Sequence, residues 1–281
     1  MQGFDIVLVE GGDPHGAFRT RNAPGDKARS LMVDRGKALI LQARLVSVTH
    51  GHYVPDGDFA TLLVFEFKFS NVRGRFTGAI ISLSFEDASG QVTNRPYVAQ
   101  IAPMGSWAIN KTTKSRDIYQ RVEAGVGSGV PGATYDLSYA WETSQVKERQ
   151  HATKLDGIKR LFADWGKENG VVWNLKENPD KKDGIPNFLR TAVLLRRCDD
   201  VPFYFTISVD SSVDFEGKLR RFLGIEKPDA VDPIELDGET DLEGLDIATL
   251  GPEKVDVANM SNMDIASIAD VSIATSVTVP T

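Results

Sequence analysis

Apolar and polar residues alternate along residues 59–70, FATLLVFEFKFS. In an extended chain, one face would carry Leu63, Phe65, Phe67 and Phe69. Charged and hydroxyl-bearing residues alternate with them on the other face. A repeat of two residues is the signature of a strand that buries one face. The pattern predicts a half-buried β-strand over this segment.

The next segment, residues 75–86, shows the same alternation. RFTGAIISLSFE places Ile81, Leu83 and Phe85 on one face. Gly74, just before it, can adopt the backbone conformation that a tight turn needs. The two segments are therefore predicted to form a β-hairpin.

Six further segments have the composition of strands. They are rich in Val, Ile, Phe and Tyr and are bounded by Gly, Pro, Asn and Asp. These segments are 37–51, 96–103, 134–142, 170–176, 188–197 and 201–210. Many short strands separated by turn residues are typical of a sandwich or of two packed sheets.

Helix signals are few. Residues 214–224 carry Asp214 as a candidate N-cap and Gly224 as a candidate C-terminal residue. Residues 160–170 form a weaker helix candidate. The sequence thus predicts an all-β, mostly antiparallel, sandwich-like fold with one or two short helices.

A charged loop stands out in WNLKENPDKKDGIPNFLRTAVLLRR, residues 173–197. It contains the turn-forming pairs Asn178-Pro179 and Asp183-Gly184. Predicted strands flank it on both sides, and its lysines have no glycine-rich cradle for phosphate. The segment is predicted to be a long hairpin loop.

The charge distribution divides the chain. Residues 1–228 contain 31 Lys and Arg against 27 Asp and Glu, whereas residues 229–281 contain one Lys against 12 acids and no aromatic residue. This change in composition predicts a body, with a candidate internal boundary near 126–134, and an acidic tail.

The tail carries a weak repeat of an apolar residue, an acid, a β-branched residue, Ala, a small polar residue and an apolar residue. Its copies begin at Leu245, Val255, Met263 and, in degraded form, Val271. Acidic composition alone favours a solvated linker. The recurring apolar positions instead favour a peptide that docks on a partner or back on the body, for example by adding a strand to a sheet edge.

The best candidate for a metal site is HGHYVPDGD, residues 50–58. Two residues apart on a strand, His50 and His52 would point to one face, and Asp56 and Asp58 could add oxygen ligands for calcium. The alternative is an ordinary turn with solvated histidines.

Other chemistry finds little support. The lone cysteine, Cys198, follows two arginines but ends an apolar strand, where a core thiol is the commoner role. The sequence contains no complete serine-nucleophile motif and no complete phosphate-binding loop. Its basic pairs are scattered and do not form the continuous positive surface that binds nucleic acid. The sequence predicts no catalytic residue, no cofactor and no nucleic-acid partner.

Several segments resemble a group of proteins of filamentous fungi that have no established activity. The resemblance is carried by ISLSFEDASG, RPYVAQIAPMGSW, NLKENPDKKDGIPNFLRTAVLLRR, FYFTISVDSSVDFEGKLRRFLG and DAVDPIELD, and it extends over roughly residues 75–275. It implies a fungal, intracellular protein and assigns no site residue.

Three hypotheses of function follow. The leading one is a non-enzymatic protein that acts through protein–protein contact or self-association, with the acidic tail as a docking or regulatory element. The second is a cofactor-independent isomerase or cyclase of fungal secondary metabolism. It would bind a small apolar ligand between sheets lined by Trp107, Trp141, Trp173 and Tyr204. The third is a calcium-dependent membrane-surface module using residues 50–58.

The expected location is the cytoplasm. The first residues lack the basic and apolar regions of a secretory signal, and a single cysteine suits a reducing compartment. No apolar run is long enough for a transmembrane segment.

Overall fold

The computed structural model describes residues 22, 24–25, 27–35, 39–71, 74–109, 152–164, 166–179, 181–214, 231–237 and 255–272. In chain order the strands are β1 (Leu31–Arg35), β2 (Leu39–His52), β3 (Phe59–Asn71), β4 (Phe76–Asp87), β5 (Tyr97–Ala102), β6 (Gly105–Ile109), β7 (Thr153–Arg160), β8 (Gly170–Lys176), β9 (Phe188–Arg197), β10 (Phe203–Val213), β11 (Ile234–Leu236) and β12 (Asp270–Ser272). Three short 3-10 helices span Val92–Asn94, Met260–Asn262 and Ile265–Ser267.

The strands form two antiparallel sheets of six strands each. Sheet I has the order β1-β2-β3-β9, and the outer edge of β9 pairs with β5 along one stretch and with β12 along another. Sheet II has the order β11-β10-β4-β8-β7-β6. The two sheets pack against each other, which confirms the predicted all-β, antiparallel, sandwich-like fold.

Apolar side chains from both sheets meet in one core. The rings of Phe65 in sheet I and Phe205 in sheet II meet edge to face, with centroids 5.5 Å apart. Phe69 and Phe76 make a similar contact at 5.5 Å. Edge-to-face packing is a favourable geometry for aromatic pairs, so the alternating phenylalanines of β3 fix how the sheets face each other.

Most predicted strands are found, and β8 and β9 have the predicted bounds. The strand predicted at 134–142, the candidate boundary at 126–134 and nearly all of the helix predicted at 214–224 lie outside the described residues. The helix predicted at 160–170 is wrong, because β7 continues to Arg160, β8 begins at Gly170 and the described residues between them are irregular.

Both predicted hairpins are wrong. Strand β3 belongs to sheet I and β4 to sheet II, while β8 belongs to sheet II and β9 to sheet I. The two connections therefore cross from one sheet to the other. Alternation shows which side chains face the core, but an inward face satisfies the pattern equally well in either sheet.

The charged loop after β8 is held by the start of β4. Glu177 accepts hydrogen bonds from Arg75 Nε at 2.8 Å and from the Gly184 N–H at 3.1 Å. The Ile185 N–H donates to the Phe76 carbonyl at 2.9 Å. These contacts give the loop a structural part, as the crossing between the sheets.

The middle of sheet I is apolar on both faces. In β3 and β9, the side chains of Leu62, Val64, Ala192 and Leu194 point away from the main core yet are fully buried. They form a second apolar cluster with residues of the segment 255–272, called the C-terminal segment below. This cluster places the C-terminal segment on the outer face of sheet I.

Candidate functional site

The metal site predicted at residues 50–58 covers the end of β2 and the closed turn 53–58 that connects it to β3. The Tyr53 N–H donates to the Asp58 carbonyl at 2.8 Å, and the Gly57 N–H donates to the Val54 carbonyl at 2.9 Å. Asp56 adopts a positive φ of 56° at the tip. Such a conformation is typical of Asp and Asn in turns.

Three of the four predicted ligands have separate partners, and the fourth, Asp56, lies at the tip of the turn. His50 Nδ1 lies 2.9 Å from Thr61 Oγ1, His52 Nδ1 lies 3.1 Å from the Gly57 carbonyl oxygen, and Asp58 pairs with Arg196. In the ranges that the structure describes, no three His, Cys, Asp or Glu side chains are grouped as ligands. The metal or calcium site at His50, His52, Asp56 and Asp58 stays a prediction.

The basic pair at the end of β9 is divided between the two faces of sheet I. Successive side chains of a strand point to opposite faces. Arg197 therefore enters the end of the main core, where its side chain is 2% exposed, whereas Arg196 lies on the outer face and is 34% exposed. The two arginines therefore lie in different environments, one buried and one at the surface.

Arg197 is a buried cation with aromatic neighbours. Its guanidinium carbon lies 5.8 Å from the ring centre of Phe59 and 5.6 Å from that of Phe203. Nη2 donates to Asp200 Oδ1 at 3.0 Å, while burial lowers the pKa of Arg197 from its usual value. The ion pair and the ring faces stabilise a charge that burial alone would disfavour.

His50 lies close to this buried charge. Burial lowers the pKa of His50 from its ordinary value, and the positive charge of Arg197 lowers it further. Asp200 and Asp237 act in the opposite direction with smaller effect. Burial and the Arg197 charge both favour the neutral form of His50.

Arg196 forms one wall of an open pocket of about 290 Å³ on the outer side of sheet I. The other lining side chains come from the β2–β3 loop, β5, β7 and the loop after β7, and they are Tyr53, Tyr97, Val98, Ala99, Lys159, Lys167 and Glu168. We call this the cation–tyrosine pocket. It brings together five separate stretches of sequence, and no sequence pattern indicated that they meet.

Ring faces hold two of the cations in this pocket. The Arg196 guanidinium lies over Tyr53 at 4.8 Å and over its cross-strand partner Tyr97 at 5.8 Å, and Lys167 Nζ lies 3.9 Å above the Tyr97 ring. Asp58 accepts from Arg196 Nε, and this hydrogen bond raises the pKa of Arg196. The arrangement fixes cationic groups at the surface without neutralising all of them.

The C-terminal segment contacts the body next to this pocket. The Val257 carbonyl accepts a hydrogen bond from the His52 N–H at 2.8 Å. The Ser261 N–H donates a hydrogen bond to the Tyr53 carbonyl at 2.8 Å. Gln100 Nε2 donates to the Ser261 carbonyl at 3.3 Å. Strand β12 then pairs with the first three residues of β9.

Two copies of the tail repeat have the same local structure. Asp256 Oδ1 accepts from the Ala258 N–H at 3.1 Å, and Asp264 Oδ1 accepts from the Ala266 N–H at 3.1 Å. A side-chain oxygen that bonds the backbone two residues on is the Asx-turn. The repeated acids thus form turns, and the apolar residues that close the copies, Met260 and Ile268, are buried against sheet I.

The three described aromatic residues of the enzyme hypothesis have different environments. Trp173 is fully buried in the main core and its Nε1 donates to the Pro103 carbonyl at 2.9 Å. Trp107 is partly buried and donates to the Met104 carbonyl at 2.9 Å, Tyr204 is partly buried on β10, and Trp141 lies outside the described residues. The hypothesis of an apolar substrate stays a prediction.

Cys198 is exposed, contrary to the expectation of a core thiol, because β9 ends at Arg197 and the chain turns outward there.

Comparison with known proteins adds no relative: no protein-family model, curated protein or solved structure matches the chain. Within the described ranges, no helix has the length and apolar character needed to cross a membrane.

Proposed function

We propose that this chain acts through protein–protein contact, with the C-terminal segment as its docking element. The segment would occupy the outer face of sheet I on its own body or on a second copy of the chain. The observation that supports this most is the second apolar cluster, in which Leu62, Val64 and Leu194 are covered by Met260, Ile265 and Ile268. An apolar sheet face of this kind needs a cover.

The contact has the features of an exchangeable one. Strand β12 contributes only three residue pairs to the sheet, and the rest of the contact consists of a few hydrogen bonds to the segment's backbone and the apolar side chains of two short turns. Seventeen residues separate Asp237 from Val255. Fully extended, such a connection would span up to about 60 Å, so the same segment could reach a neighbouring copy.

Charge supports association between copies as well. The body carries a small positive excess and the tail a large negative one. Opposite charges on two interacting surfaces accelerate their encounter and fix their orientation, while the buried apolar residues supply most of the affinity.

The test uses a chain truncated after Lys254 and a fluorescent peptide of residues 255–272. Saturable binding to the truncated chain is expected, together with binding to the full chain that is about tenfold weaker or less, because the tethered segment competes at high effective concentration. A peptide with Ile265→Asp and Ile268→Asp is the control and should not bind. Equal binding to both chains, or binding to neither, would contradict the proposal.

A further inference from the structure

We propose that the cation–tyrosine pocket is a binding site for a phosphate group, either free or as a phosphate monoester of a small molecule. The pocket adjoins the apolar cluster that holds the C-terminal segment, because Tyr53 and Ala99 border both, but its cationic side chains are not part of that cluster. The inference therefore rests on these cations and not on the proposed function.

Three cations from three elements converge in the pocket. Arg196 comes from β9, Lys159 from β7 and Lys167 from the loop after β7. Like charges repel, so their convergence disfavours the empty pocket and favours an anion within it. Glu168 is the one carboxylate among the lining residues, which leaves the lining with a positive excess.

The donors of these cations are largely unused. Asp58 occupies Nε of Arg196, which leaves the two terminal nitrogens to act together on one oxyanion. Lys167 contacts the Tyr97 ring, and Lys159 makes one long hydrogen bond of 3.5 Å to the Ala99 carbonyl. Three cationic side chains therefore line one pocket with N–H donors in excess of these contacts.

The pocket is also built to hold these groups in position. Tyr53 and Tyr97 hold the guanidinium on their ring faces, and the Val98 N–H donates to the Glu168 carbonyl at 2.8 Å, which fixes the lysine-bearing loop to the edge strand β5. Cations that are fixed before binding lose less conformational freedom when they bind.

A phosphate group fits this site better than a carboxylate. Glu168 in the lining and Asp58, which pairs with Arg196, leave one positive charge in excess, and a phosphate monoester offers three acceptor oxygens to three cationic side chains where a carboxylate offers two. The ring faces are already covered by cations, so the site recognises the anionic group rather than an attached aromatic ring. The order of affinity expected is phosphate and phenyl phosphate above acetate.

The experiment is calorimetric titration of the full chain with inorganic phosphate, phenyl phosphate and acetate at constant ionic strength. Phosphate is expected to bind with a dissociation constant of about 1 mM or lower. The double variant Lys159→Gln/Lys167→Gln should weaken it by about tenfold or more, because two charge-assisted contacts are lost. Tighter binding of phenyl phosphate than of phosphate would identify the ester as the preferred source, and the reverse would identify the free ion.

The matched control is Lys154→Gln/Lys176→Gln. These exposed lysines face each other across β7 and β8 and lie outside the pocket lining, so their replacement removes the same charge. Phosphate affinity should stay within about twofold of the parent chain. If the double pocket variant fails to fold, Lys167→Gln alone serves, because it removes one of the proposed phosphate contacts and costs the folded chain a contact with the Tyr97 ring. Equal losses in the pocket and control variants, or no saturable phosphate binding, would overturn the proposal.

Discussion

Gly51 lies directly against the backbone of Val257. A Cβ atom at residue 51 would be 2.2 Å from the Val257 carbonyl oxygen and 3.0 Å from its Cα atom. The same carbonyl accepts the His52 N–H at 2.8 Å. The end of β2 can therefore receive the C-terminal segment because residue 51 has no side chain.

Gly51→Ala should detach the C-terminal segment while leaving the sandwich folded. The added methyl group meets backbone rather than a flexible side chain, and the hydrogen bond at Val257 is lost, so docking should weaken by roughly 1–3 kcal/mol. Amide hydrogen exchange should then be faster at Ser261. Val257→Ala is the control, because the Val257 side chain is 48% exposed and its carbonyl is retained. Unchanged exchange at Ser261 in Gly51→Ala would count against the contact.

Asp256 and Asp264 should act through their oxygen atoms rather than through their charge. Alanine at either position removes the acceptor of the turn and should weaken docking by about 0.5–2 kcal/mol. Asparagine keeps an acceptor and loses the charge, so Asp264→Asn should stay within about 0.5 kcal/mol of the parent segment. Peptide titration of the truncated chain measures both. Equal losses for alanine and asparagine would show that charge dominates.

His50 should make the free energy of unfolding depend on pH. Its folded-state pKa lies below the ordinary value of 6.5, so the unfolded chain binds more protons in the window below 6.5. Stability contributed by neutral His50 is therefore complete above about pH 6.5 and is lost as the pH falls through that window. Chemical denaturation at several pH values should show a steeper loss for the parent chain than for His50→Asn. Parallel curves would contradict the assignment.

Replacing Trp173 should lower the free energy of unfolding more than replacing Trp107. Trp173→Phe leaves the Pro103 carbonyl without its donor inside the core and opens space beside Gly157, so a loss of about 2–4 kcal/mol is expected. Trp107→Phe, at a partly exposed site, should cost about 1 kcal/mol or less. Denaturant titrations of the two variants provide the comparison, and similar losses would mean that Trp173 is not the core residue described.

The strands were predictable where the pattern is local. Strands β8 and β9 are short runs rich in Val and Leu, so their bounds follow from composition and turn residues. Sheet membership was not predictable, because the inward residues of β3 and β4 satisfy the same alternation in a hairpin and in a crossing. Short strands such as β11 and β12 have too few residues to show a period.

One signal of the second apolar face was present in the sequence. The run Thr191–Leu195 is buried at every position, as expected for a strand covered on both faces. Its partner could be inferred only in general terms, from the repeated apolar positions of the tail. The cation–tyrosine pocket could not be inferred at all, because Arg196 and Lys167 meet only once both sheets are assembled.

Mixing two complementary variants tests the proposed docking function most directly. Gly51→Ala keeps an intact C-terminal segment but has a receiving face weakened at its contact with Val257, whereas Ile265→Asp/Ile268→Asp keeps the face but lacks a competent segment. Light scattering of the mixture should show a 1:1 complex, with twice the mass of one chain, that is absent from either variant alone. A mixture in which both chains keep the masses they have separately would contradict the proposal that the segment docks between copies.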